Sequence, residues 1–207
     1  MLPTQLAFWL SPYRDRATQI EMAGKIQAEF IENFLVVWDA AKGSELYRQG
    51  YYGKPIGIPK PKLMEFNVPL ILDLMEGVYL AQKEVLTVTE GDQKKKKVSL
   101  SKLRQSARRL YEDFDLKYAV YRDLRDHGLV VTPGIKFGCD FAVYKHGPGL
   151  EHAPFMVSVK KATDEVTATE MVKAGRLATT VRKRFIIAVP DAESERIRYL
   201  IFKWFKA

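Results

Sequence analysis

The chain has 207 residues, 47% of them hydrophobic and 28% charged, with a formal net charge of +8. That length holds one large domain or two small ones, and the basic surplus points to polyanionic partners, nucleic acid first. The single cysteine, Cys139, rules out an internal disulfide framework and a zinc finger built on several thiolates.

The opening residues Met-Leu-Pro-Thr-Gln-Leu carry neither a basic leader nor the apolar core of a secretory signal. The longest apolar runs, 34–38 and 185–189, are too short to cross a bilayer, so a cytoplasmic protein is expected. Ile20, Ala23, Ile26 and Phe30 recur at roughly helical spacing and predict an amphipathic helix over 16–32, an N-terminal helical extension. Residues 34–38 read as a short buried strand, and Asp39 as the cap of a helix reaching Gly50. Glycine and proline then break residues 53–62 into a loop, made basic by Lys54, Lys60 and Lys62; it is either solvated or in contact with RNA. Pro69 opens a second helix, with Ile71, Leu74, Met75, Val78 and Tyr79 on its core face. A strand over 85–89 and a turn over 91–93 lead to a lysine run at 94–97, the tip of a hairpin. Ser99 or Ser101 caps the helix that ends near Tyr111.

A helix over 115–127 carries Phe114, Tyr118, Tyr121 and Leu124 on one face and stops at Gly128. A domain boundary is expected between residues 105 and 114, dividing the chain into 1–110 and 111–207. Beyond it come strands at 129–132 and 137–144, with Pro133 and Gly134 turning between them, and a third at 155–159. Thr167 caps a helix to about Lys183 with Met171, Ala174, Ala178 and Val181 facing inward, and strands follow at 185–189 and 197–205. The order β-β-β-α-β-β predicts a mixed sheet with a helix packed on it. The fold class is therefore α+β: a mixed α/β N-terminal domain, then a C-terminal α/β domain with a mixed central sheet.

Three histidines are present. His127 sits at a helix end, where an imidazolium caps the carbonyls; His146 lies in a Lys-His-Gly-Pro turn. His152 follows Gly-Pro-Gly at a strand edge and is the side chain suited to proton transfer near neutrality. With Tyr144 and Lys183 it makes a set of phenol, proton carrier and fixed cation that can cleave RNA without a metal. Lys173, Arg176, Thr180 and Lys183 fall on one polar stripe, placing Arg176 and Lys183 about 10 Å apart along a helix. Such a row holds neighbouring groups of a nucleic-acid backbone, or is simply a solvated face. A metal-dependent nuclease is the competing reading. Asp140 and Lys160 stand in a suggestive order, but Ser158 occupies the place of the second acid, and one carboxylate makes a poor magnesium site. There is no Walker-type loop and no zinc-ligand pair.

Several segments, taken in order, resemble one family. They are Tyr118-Ala-Val-Tyr121-Arg-Asp-Leu-Arg125-Asp-His-Gly128, Gly134-Ile-Lys-Phe-Gly-Cys-Asp-Phe-Ala-Val-Tyr144, His152, and Gly175-Arg-Leu through Val181-Arg-Lys183. Together they resemble the tRNA-splicing endonuclease family over the whole C-terminal half. Glu45-Leu-Tyr-Arg-Gln-Gly-Tyr-Tyr-Gly-Lys54 and the helix over 70–80 resemble its N-terminal domain, while the first forty or so residues look less typical. The resemblance implies a restriction-endonuclease-like central sheet and a catalytic set of Tyr144, His152 and Lys183. It implies that Arg176, and with a looser match Arg198, grip a bulged nucleotide of a precursor tRNA. The implied reaction is metal-free and cofactor-free cleavage at a bulge-helix-bulge, leaving a 2′,3′-cyclic phosphate and a 5′-hydroxyl. Asp191, Glu193 and Glu195 stand where the family carries an acidic loop that enters another subunit, though they also suit an ordinary acidic turn. The assembly implied is a homotetramer or a two-plus-two heterotetramer with a structural subunit. A metal-dependent nuclease of similar fold and a non-catalytic RNA-binding or structural subunit remain the alternatives.

Overall fold

The computed structural model describes residue 20 and residues 24–59, 61–91, 95–180, 183–191, 194 and 196–202. It divides after Phe114 into two compact units.

The first unit is built on a sheet of β1 (Ile26–Ile31), β2 (Phe34–Val37), β3 (Lys54–Pro55), β4 (Leu70–Leu72), β5 (Leu86–Glu90) and β6 (Lys96–Lys97). Their order is β3-β4-β2-β1-β5-β6. Its helices start where a side chain takes up the orphan amides of the first turn. The Asp39 carboxylate accepts from Ala41 and Lys42, each at 3.0 Å, and opens α1 (Ala40–Gly50). Asp73 and Glu76 form a reciprocal capping box at the head of α2 (Leu74–Gln82), and Ser99 caps α3 (Leu100–Leu110). Leu35, Leu46, Leu70, Leu72, Leu80 and Leu103 are fully buried and form the core.

Two expectations for this unit are corrected. The helix predicted over 16–32 is, in its described part, strand β1, antiparallel to β2 and parallel to β5. Ile26 and Phe30 are four apart and fit either period, but the burial of Ile26 and Ala28 around exposed Gln27 follows the two-residue repeat of a strand. Residues 1–19 and 21–23 of the expected extension lie outside the described residues. The second helix begins at Leu74, not at Pro69: Leu70–Leu72 pair with β2 and β3, so Pro69 introduces a strand.

The second unit runs through α4 (Phe114–Asp126), β7 (Val130–Pro133), a 3-10 turn (Ile135–Phe137), β8 (Phe141–Tyr144), β9 (Phe155–Val159), α5 (Ala168–Thr180), β10 (Arg184–Pro190) and β11 (Ile197–Phe202). The sheet order is β11-β10-β9-β8-β7, with β9 and β10 parallel and the other neighbours antiparallel. On one face α4 packs Tyr121 against Phe141 at 6.0 Å between ring centres, and the Tyr199 hydroxyl donates to Asp123 at 2.6 Å. The buried Arg125 guanidinium donates to the Tyr121 hydroxyl and to the Val131 carbonyl, both at 3.0 Å, tying the end of α4 to β7. On the other face Ala174 of α5 packs with Ala142, Met156, Phe185 and Ile187.

Here too the structure revises the expectation. The strand predicted over 137–144 starts only at Phe141, because the 3-10 turn ends at Gly138 in the left-handed region (φ 65°). The helix capped by Thr167 is described as far as Thr180, and Lys183 is not helical but stands at the head of β10. Met171 is 47% exposed and does not face the core, whereas Ala174 does; the side chains of Ala178 and Val181 lie outside the described residues.

The head of α5 generates one prediction. Glu170 accepts from the Thr167 amide at 2.9 Å and pairs with Lys160 at 2.6 Å, which holds its carboxyl down at about 2. For a depressed carboxyl the added stability is present above its ordinary value and is lost as the pH falls through the depressed one. Thermal unfolding followed by circular dichroism from pH 5 to 2 should therefore show a midpoint that falls more steeply for the wild type than for Glu170→Gln.

Candidate active site

The parallel pairing of β9 and β10 sets the site. Phe155 pairs with Arg184 on one side and with Val143 on the other, and the Arg184 amide donates to the Pro154 carbonyl at 2.9 Å. One residue further along these ladders, Tyr144, Pro154 and Lys183 share one level at one end of the sheet. With neighbouring strands about 4.8 Å apart, the backbones of Tyr144 and Lys183 are separated by about 10 Å, with Pro154 between them. Side chains alternate along a strand, so Tyr144 follows Ala142 and Lys183 follows Phe185 onto the face that α5 covers. Tyr144 is half-buried against that cluster, and exposed His152 lies two residues before Pro154, on the segment entering β9. Head of β9, head of β10 and tail of β8 thus converge at one edge.

Lys183 has a neighbour that the sequence reading left out. Its ammonium lies over the Phe137 ring, 3.8 Å from the ring centre, and Phe137 itself packs on the core cluster. Burial lowers the Lys183 ammonium below its ordinary value, while the Cys139 thiol pulls it the other way. The electron-rich ring face partly replaces lost hydration. An aromatic just before Gly138 was the available signal, but reading Phe137 as a strand residue hid that it belongs to a turn aimed back at the site.

The other candidate residues are spread more widely. Arg176 is exposed on α5. Lys183 is off that helix, so the expected helical stripe does not continue to it; the side chains of Lys173 and Thr180 lie outside the described residues. Arg198 pairs with Val189 near the far end of β10, six residues and about 20 Å along the strand from Lys183. There it lines a cavity of about 1150 Å³ with Lys160, Arg196, Ile187, Val189 and Phe202. Asp191 is exposed, with its amide donating to the Arg196 carbonyl at 2.8 Å and its carboxylate accepting from Ser194 at 2.6 Å. Glu193 and Glu195 lie outside the described residues.

The groups considered for metal chemistry have structural partners. Asp140 accepts from the Val159 amide at 2.8 Å and meets Lys117 at 3.0 Å, fastening β8 to β9 and to α4. Lys160 is engaged by Glu170. Among the described residues no three His, Cys, Asp or Glu side chains cluster as metal ligands. His127 sits with Nδ1 2.7 Å from the Asp123 carbonyl, an arrangement in which the ring donates and caps the helix end. Tyr199 is buried beside Asp123, which pushes its phenol well above the usual range and removes it as a proton carrier near neutrality.

Two family models match the chain. One, tRNA intron endonuclease, N-terminal domain, covers residues 26–104, and the other, tRNA intron endonuclease, catalytic C-terminal domain, covers 114–199. The chain belongs to the tRNA intron endonuclease family. It is 48% identical over 171 residues to the tRNA-splicing endonuclease of Hyperthermus butylicus, covering 83% of this chain and 93% of the relative. With the tRNA-splicing endonuclease of Saccharolobus solfataricus the identity is 40% over 184 residues, covering 87% and 99%. Family membership makes the chain an RNA endonuclease, and the edge carrying Tyr144, His152 and Lys183 falls inside the matched catalytic domain.

The Phe137 contact is open to measurement. Phe137→Leu removes the ring face that favours the charged amine while leaving the site apolar, so the Lys183 pKa should move further down. Phe137→Trp should not lower it. NMR titration of the labelled lysine side chain reads both, and an unchanged Lys183 in the leucine variant would show that the ring does not stabilise the charge.

Proposed function

We propose that this chain is a catalytic subunit that excises introns from precursor tRNA, cutting at bulge-helix-bulge motifs by metal-free transesterification. A ribose 2′-hydroxyl attacks the adjacent phosphorus and the 5′-oxygen departs, leaving a 2′,3′-cyclic phosphate and a 5′-hydroxyl. His152 protonates the departing oxygen as the general acid. Lys183 stabilises the extra negative charge on the pentacoordinate phosphorus. Tyr144 takes the 2′ proton on its phenol oxygen, with the help of the nearby cation. The observation that best supports this reading is the common level of Tyr144 and Lys183 on either side of Pro154, with His152 two residues beyond. The engagement of Asp140 by Lys117 and the Val159 amide also favours it over a carboxylate-metal mechanism.

Substrate selection in this reading rests on RNA shape, with Arg176 and Arg198 stacking on flipped bulge bases. The distance of Arg198 from its own chain's Lys183 fits a contact made away from that centre. Asp191, Glu193 and Glu195 form the acidic loop offered to a second subunit, in a homotetramer or a heterotetramer with a structural partner. The enzyme works in the cytoplasm; among the described residues no helix is long and apolar enough to cross a membrane.

Single-turnover cleavage of a bulge-helix-bulge RNA in EDTA tests the chemistry. Undiminished cutting with cyclic-phosphate ends is expected, and loss of cutting on chelation would sink the metal-free reading. His152→Ala should lower the rate by about 10²–10⁴-fold with RNA binding retained. Because burial favours the neutral amine of Lys183, the alkaline fall of the rate should begin below the ordinary lysine value of 10.5, and Lys183→Arg should move that limb upward. Light scattering of the chain with and without a structural partner distinguishes the two assemblies.

A further inference from the structure

Between Tyr144 and His152 the chain makes a loop that is closed by one of its own side chains. A single carboxylate oxygen of Glu151 accepts from the backbone amides of Lys145 and His146, each at 2.5 Å. Two successive amides aimed at one point form a small anion-binding concavity, and here the anion belongs to the loop itself. The residues joined are the neighbours of the proposed catalytic pair: Lys145 follows Tyr144, and Glu151 precedes His152. The turn inside the clasp needs glycine twice, since Gly147 and Gly149 have φ of 125° and 92°. The Leu150 and Glu151 amides donate back to the Gly147 carbonyl at 3.3 and 3.4 Å, and Pro148 bridges to Glu151. Leu150 is 69% exposed, so the loop has no apolar anchor at that position and its shape leans on the carboxylate.

We propose that Glu151 is a positioning residue for cleavage: its carboxylate clasps the 145–151 loop and thereby sets the spacing between the Tyr144 phenol and the His152 imidazole. This rests on the assignment of Tyr144 and His152 as the proton-transferring pair. Charge-assisted hydrogen bonds to backbone amides are among the stronger ones available to an acceptor, and two of them converge here. A general acid must lie within hydrogen-bond reach of the leaving oxygen, and a displacement of about 1 Å costs on the order of 10²-fold in rate. Glu151 itself touches no reacting atom in this arrangement. Its effect passes through the backbone on either side.

The test compares Glu151→Ala, Glu151→Gln and His152→Ala in the full chain, under single-turnover conditions with a bulge-helix-bulge RNA. Glu151→Ala should slow the chemical step by roughly 10–100-fold while the RNA dissociation constant and the thermal midpoint stay close to wild type. Glu151→Gln retains an acceptor oxygen of the same reach and should recover most of that rate. Hydrogen exchange of the Lys145 and His146 amides should be slow in the wild type and the glutamine variant and fast in the alanine variant. Wild-type cleavage by Glu151→Ala, or fast exchange of both amides in the wild type, overturns the clasp. So does a loss confined to RNA affinity. The His152→Ala control separates the two levels: if it cuts normally, the catalytic assignment has failed, and if it is inactive while Glu151→Ala is unimpaired, only the positioning role has failed.

Discussion

The parallel ladder between β9 and β10 is the constraint on which the catalytic unit depends. Parallel neighbours cannot be joined by a tight turn, so the chain must cross over, and α5 is that crossover. Amides close the ladder at both ends, Arg184 onto Pro154 and Lys160 onto Ala188, each at 2.9 Å. Met156, Val157, Ile186 and Ala188 are buried on this pair, so slipping it by one residue would exchange the side chains facing α4 with those facing α5 and disrupt both packed faces. Because the strands run the same way, their heads lie at the same edge, which brings the segment before β9 next to the residue before β10. The antiparallel β8 then delivers its tail to that edge. Tyr144, His152 and Lys183 owe their shared location to these strand directions.

Electrostatics around this frame divides by sign. Several carboxylates are committed to holding elements together: Asp140 to Lys117 and the Val159 amide, Glu170 to the head of α5, Asp123 to Tyr199, and Glu151 to the loop amides. Lys183 stands instead against an aromatic face and a thiol, and exposed Arg184 follows it over the Phe155 ring. Among the described residues, this edge carries the Lys183 cation against an aromatic face, in keeping with the +8 charge of the whole chain.

Elements governed by local rules were legible. Asp39 and Ser99 cap the helices expected of them, and the strand at Phe155–Val159 is where the β-branched and aromatic run predicted it. What failed were short stretches whose pattern fits two structures. Ile26–Ile31 carries apolar residues at both helical and strand intervals, and Leu70–Leu72 can extend the helix behind it or pair sideways. In each case hydrogen-bond partners distant in sequence made the choice. Phe137 belongs to the same class: only the left-handed Gly138 turns it out of the strand and under Lys183.

By itself, the sequence determined the residue types capable of the chemistry, the family that carries them and the order of elements in the catalytic unit, since these depend on composition, spacing and short-range capping. The tertiary structure alone decided that Lys183 leaves the helix and heads a strand, that it rests on Phe137, and that Glu151 closes the loop between Tyr144 and His152. Those relations arise from strand direction, from one left-handed backbone residue and from a side chain reaching back to amides six and five residues earlier. The first two are not properties of any single segment, so no segment read alone reveals them.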